Sequence, residues 1–216
     1  MRSVKSDDAT TRARIRDAAI VLFGRDGFRE TTIRRIATEV GVSAALILHH
    51  FGSKDGLRQA CDDHVLAEVT KPGETIGSGN DPRAAATIRV WLSQTDEHRP
   101  WLQYISRLLM SGSDIGDRLF DEFVSYTEGV FAEGVADGSI HPSTDPHMRA
   151  VTLTAYSMSA LILERQFGRV VGADHLTNEA AVRMAIPALE IFTHGLYAND
   201  DLLRATRAAL TDNGAS

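Results

Sequence analysis

Between Thr31 and Lys54 the chain reads "TTIRRIATEVGVSAALILHHFGSK", and this stretch limits the possible folds more than any other. Thr31 or Thr32 can cap a helix whose Ile33, Ile36, Ala37 and Val40 recur at helical spacing. Gly41 ends that helix, because glycine enters the left-handed region without the clash a Cβ would bring. Ser43 caps a second short helix, and Gly52-Ser53 stops it and opens the next. Helix, sharp glycine turn and capped helix is the plan of a helix-turn-helix. Ala37 is small where two steeply crossing helices must approach. Val42 and Ile47 can fill the wedge between them, and Phe51 can close it against a preceding helix.

That preceding helix is predicted from Ile15, Ala18, Ala19, Leu22 and Phe23, with "GRDGF" stopping it near Gly24 to Gly27. From Ser53 to about Thr70 one helix carries Leu57, Cys61, Val65 and Val69 on one side. "KPGETIGSGNDP" (71 to 82) breaks the chain. Beyond it the periodicity predicts helices at 82–95, 99–111, 114–137, 145–171, 178–197 and 200–211, with Pro187 kinking the fifth. No run of β-branched residues alternates with polar ones, so the fold class is all-α. The expected division is a helix-turn-helix domain at 1–52 and a larger helical domain at 53–216, joined by the helix at 53–70.

The whole chain carries a net charge of −6. Residues 1–60 hold 11 Lys and Arg against 7 Asp and Glu, a surplus of +4, which leaves −10 on the remainder. A basic head on an acidic body implies that only the head meets a polyanion. The one cysteine, Cys61, cannot form an internal disulfide, and the N-terminus lacks the apolar run of a secretory signal. No apolar stretch approaches the roughly 20 residues that cross a bilayer. The expected setting is the cytoplasm, with no membrane partner.

"FGRDGFRETTIRRIATEVGVSAALILHHFGSKDGL" (23 to 57) resembles the DNA-binding domain of the TetR/AcrR transcriptional regulators. The shared pattern is Gly27-Phe28, Thr31-Thr32, Ile36-Ala37, Gly41-Val42-Ser43, His50-Phe51, and Lys54 with Leu57. It covers the head; the rest fits by length and helix content. By this resemblance His50 packs beside Phe51 while His49 faces outward to DNA. Neighbouring helical residues point about 100° apart, so the two histidines are not a metal-chelating i, i+4 pair. The family often has Gly at the third position of the recognition helix and Tyr two residues before the "HF". Ala45 and Leu48 stand there in this chain, so the usual tyrosine contact to phosphate is missing.

The groove-facing positions are then Ala44, Ala45, Leu46, Leu48 and His49, after the cap Ser43. Apolar side chains can read thymine methyls. Phosphate contacts would fall to Thr32 and Lys54 at helix N-termini and to Arg34, Arg12 or Arg14 nearby. One such module covers only a few base pairs, so modules of this kind act as dimers on double-stranded operator DNA. The resemblance implies a homodimer through the last major helices. Here these are 151–167, with Leu153, Tyr156, Ala160, Leu161 and Phe167, and 184–196, with Ala185, Ala188, Leu189, Phe192 and Gly195. It also implies a small-molecule effector pocket in the body, for which Trp91, Trp101, Tyr104, Arg107, Phe120, Phe123 and Tyr126 are candidates.

The function expected is repression relieved by an effector, with no catalytic activity and no cofactor. The alternative is a helical dimeric interaction or ligand-binding protein whose helix-turn-helix does not read DNA specifically. Enzyme readings would rest on His98 beside Asp96-Glu97, or on His141 with Asp145 and His147, and neither has an established spacing. Cys61 could sense redox state, but a lone cysteine on an apolar stripe is ordinarily packing.

Overall fold

The computed structural model describes residues 2–70 and 95–212, with side chains described over 9–70 and 98–207. Every regular element in these residues is helical. The head is α1 (Arg2–Asp26), α2 (Ile33–Val40) and α3 (Ala44–Phe51), followed by α4 (Lys54–Val69). The body holds α5 (Thr95–Leu109), α6 (Asp114–Ala136), α7 (Pro146–Ile162), α8 (Glu164–Arg169), α9 (Asn178–His194) and α10 (Asp201–Asp212). The expected break at 71–82 and nearly all of the expected helix at 82–95 lie outside the described residues.

The capping reading of the head is met residue by residue. Thr32, not Thr31, caps α2, its Oγ1 accepting from the Arg35 N–H at 3.2 Å. Thr31 is buried and its hydroxyl donates to the Gly27 and Leu22 carbonyls. Gly41 sits at φ 75°, ψ 37°, with its N–H directed to the Ala37 and Thr38 carbonyls. Ser43 Oγ accepts from the Leu46 N–H at 3.1 Å and Ser53 Oγ from the Gly56 N–H at 2.9 Å, which starts α3 and α4.

One apolar core runs from head to body. Ile15, Leu22, Ile36, Ile47, Leu57, Val65, Tyr104, Leu108 and Leu119 belong to a single buried cluster, so α1 and α4 each face both halves. The α1–α5 contact is the most extensive between any two helices among the described residues. Gly24 makes it possible: a Cβ there would lie 2.7 Å from the Pro100 carbonyl oxygen.

Two expectations for the body need correction. The helix predicted at 145–171 is divided at Leu163 (φ −103°, ψ 29°) into α7 and α8. Glu164 is tied to α5, accepting from Gln103 Nε2 at 3.0 Å and lying 3.6 Å from Arg99 Nε, so tertiary bonds override local helical propensity. α5 also starts four residues earlier than the predicted 99, which places Pro100 inside the helix rather than at its first turn. α9 runs through Pro187.

Candidate nucleic-acid interface

α3 is held by one side chain and shows others to solvent. Ile47 is fully buried, Ala44 and Leu46 are half-buried, and Ser43, Ala45, Leu48 and His49 are exposed, Leu48 at 45%. His50 lies edge-on to Phe51, ring centroids 6.2 Å apart, and so packs as scaffold. Ala44 packs against the core, which makes its outward reach smaller than the sequence suggested. The exposed set presents methyl groups and one imidazole, a surface able to meet thymine methyls and a single hydrogen-bonding base edge.

The positive groups divide into scaffold and surface. Arg14 Nη2 donates to the Val40 carbonyl at 2.9 Å, closing the end of α2, and the Arg12 guanidinium lies 5.1 Å over the Phe51 ring. Both were phosphate candidates, and both hold the head together. Arg35 pairs with Asp26 at 3.0 Å. Lys54 Nζ lies 4.3 Å from the Phe28 ring centroid and donates to the Arg29 carbonyl at 3.4 Å, which anchors the start of α4 beside the turn before α2. Arg34 and Thr32 are exposed at the start of α2. Thr32 and Ser43 each accept a capping bond, so the hydroxyl hydrogens are left to donate outward.

The head meets the body through polar bonds that sequence reading missed. Tyr104 on α5 donates its hydroxyl proton to Asp62 Oδ1 on α4 at 2.6 Å, with both residues buried. Burial raises the Asp62 carboxyl above its ordinary range, opposed by the Tyr104 bond and the Arg58 charge. Arg107 Nε donates to the Gly24 carbonyl at 2.7 Å and Nη2 to the Arg25 carbonyl at 3.2 Å, capping the end of α1 from the body. The one available signal was Asp62 itself, a carboxylate beside the stripe of Leu57, Cys61 and Val65. Cys61 is fully buried, its thiol raised above the ordinary range chiefly by burial, so it is held as an unreactive thiol.

Of the described effector candidates, Tyr104 and Arg107 line one cleft together. Trp91 lies outside the described residues. Tyr104 and Arg107 face the head and α4, whereas Tyr126 is exposed. Trp101 meets His64 edge-on at 5.5 Å, and Phe123 packs against the core beside half-buried Phe120. The clefts among the described residues include these three. One of about 580 Å³ lies between α1, α3 and α4, one of about 520 Å³ at the head–body junction, and one of about 390 Å³ between α6 and α7. Trp101, Phe120, Phe123 and Tyr126 line none of these three.

The imagined acid-base cluster is scaffold: Asp145 Oδ1 caps α7 by accepting from the Met148 N–H, and His147 Nδ1 lies 2.7 Å from Glu128. No described helix is long and apolar enough to cross a membrane. α7 and α9 carry an uncovered apolar face. Ile186 is 63% exposed, Leu189 and Phe192 are each 53% exposed, and Tyr156 meets Phe192 edge-on with centroids 5.6 Å apart. A contiguous apolar face of this kind marks an interaction surface.

Comparison with known proteins gives a consistent picture. Residues 15–61 match the family model described as bacterial regulatory proteins, tetR family, and residues 96–198 match the tetracyclin repressor-like C-terminal domain. The HTH-type transcriptional regulatory protein RaaS of Mycobacterium tuberculosis is 37% identical over 210 residues, 94% of each chain. The regulator BetI of Brucella melitensis is 43% identical over 82 residues, covering 37% of this chain and 41% of BetI. Among solved structures, FadR from Bacillus subtilis in complex with stearoyl-CoA shares the fold with a TM-score of 0.60 at 16% identity, over 86% of this chain and 99% of that one.

Proposed function

Because the chain belongs to the TetR family of DNA-binding transcriptional regulators, we propose that it is a cytoplasmic repressor that leaves its operator when a small molecule binds the body. The observation that carries this reading is the divided burial of α3, anchored by Ile47 and outward at Ser43, Ala45, Leu48 and His49. Those outward side chains, flanked by Ala44 and Leu46, enter the major groove. Leu48 and Ala45 meet thymine methyls and His49 supplies a polar base contact. Thr32, Arg34 and Lys54 contact phosphates. With so few base-edge donors, affinity leans on those contacts and falls steeply with salt.

Residues 1–52 act as the reader and 53–216 as the effector-binding and dimerisation part, with α4 as the connector. The apolar face of α7 and α9 supports pairing of two copies, through 151–167 and 184–196. The fold neighbour FadR is solved in complex with stearoyl-CoA, which supports a body that holds an organic ligand. Effector and operator then oppose one another through a shared coupling free energy of about 1–3 kcal/mol. Nothing in this reading requires a catalytic step or a cofactor.

Selection of bound fragments from random genomic DNA tests the proposal. The expected product is a set of fragments sharing an inverted repeat, with half-sites one helical turn apart or a multiple of it. Enrichment of no sequence, even at low salt, would replace the repressor by an interaction protein with a silent helix-turn-helix.

A further inference from the structure

We propose that the cleft where head meets body is a binding site for a small organic monoanion with an aromatic or branched apolar body. The cleft, about 520 Å³, opens between the turn after α1, α4 and the C-terminal end of α5. That volume is in the range of small-molecule sites. Its apolar lining comes from Phe23, Phe28, Leu108 and the ring of Tyr104. The guanidinium side chains of Arg29, Arg58 and Arg107 stand around it, with Asp26 and Glu30 as the acidic members. Asp26 is already engaged by Arg25 and Arg35, each at 3.0 Å, so the balance facing the cleft is positive.

The two inner guanidinium groups retain donors. Arg107 uses Nε and Nη2 on the end of α1, while its Nη1 lies toward Gly27, 3.5 Å from where a Cβ would stand. Arg58 lies 5.0 Å over the Phe28 ring with Nε 3.6 Å from Asp62. A guanidinium offers five N–H donors, and neither arrangement uses them all. A carboxylate accepting from Arg58 and Arg107 would set its apolar body against Phe28 and Leu108. A second negative charge would meet Glu30, and a cation would meet the arginines, so one negative charge is selected. The body residues Trp101, Phe120, Phe123 and Tyr126 take no part in this site.

The five methionines allow a direct test, because Met110 lines the cleft while Met158 and Met184 lie in α7 and α9. The full chain labelled with ¹³C at the methionine methyls is titrated with 2-naphthoate and with its neutral isostere 2-naphthamide. The Met110 resonance, assigned by its absence from Met110→Leu, should move saturably with naphthoate. Binding should be at least about tenfold weaker for the amide and for naphthoate against Arg58→Gln, the loss of one charge-assisted pair. Movement of Met158 or Met184 without Met110, undiminished binding by Arg58→Gln, or no saturable shift overturns the site. Should Arg58→Gln fail to fold, Met110→Glu at the exposed rim replaces it. Naphthoate should then raise the melting midpoint of the unaltered chain but not of that variant, and equal stabilisation of both would refute the assignment.

Discussion

Gly41 holds a left-handed conformation with nothing within 4 Å of where a Cβ would stand, so its requirement is conformational and not spatial. Gly41→Val should cost about 1–2 kcal/mol or more and misdirect α3, because a β-branched residue fits that region badly. Operator binding should disappear in a mobility shift while sedimentation still reports the dimer; loss of both would end the division of labour between head and body. Asp62 offers a titration with a defined sign. Its folded value is raised, so the folded chain holds the proton more tightly than the unfolded one, and the ionised form costs stability above that value. The cost is relieved as pH falls from neutral toward the ordinary carboxylate value of 3.8. Asp62→Asn keeps an acceptor for Tyr104 and removes the charge. It should melt higher than the native chain near neutral pH, with the gap closing on acidification. Asp26, held low chiefly by the Arg25 hydrogen bond, loses stability on acidification in both proteins and cancels from the difference.

At the level of elements, the recognition unit was legible because its determinants are local. Thr32, Gly41, Ser43 and Ser53 act within three or four residues of themselves, and each does in the structure what its spacing suggested. The junction was illegible for the opposite reason. Tyr104 reaches Asp62 across 42 residues and Arg107 reaches Gly24 across 83, distances over which no periodicity carries information. The break between α7 and α8 belongs with them, since Glu164 is bound by side chains of α5. Ser43→Ala should therefore cost about 1 kcal/mol by removing a local cap, read as a lowered denaturation midpoint. Tyr104→Phe leaves a buried carboxylate short of its best donor and should cost about 1–3 kcal/mol. Equal midpoints for Tyr104→Phe and the native chain would show that the α4–α5 bond does not hold the two halves together.

On the scale of the whole molecule, the charge division between a basic head and an acidic body was readable from composition, whereas the arrangement of the body was not. Among the described aromatics chosen from sequence, Tyr104 lines the head–body cleft while Trp101 and Phe123 pack elsewhere; aromatic residues fill any core, and only coordinates separate a lining from a filling. The apolar stripe on α9 was readable, and its exposure supports the assembly proposed. Leu189→Glu should convert the dimer to a monomer in sedimentation and weaken operator binding at least about tenfold, through loss of the paired reading of two half-sites. An unchanged dimer would move the pairing surface elsewhere. At Gly24 the backbones of α1 and α5 meet with no side chain between them, and Arg107 pins the same spot. At so close a contact the two helices are registered against each other and cannot slide. Gly24→Ala would therefore wedge α1 and α5 apart, because the added methyl meets the Pro100 carbonyl oxygen and the Tyr104 N–H, backbone atoms that cannot turn aside.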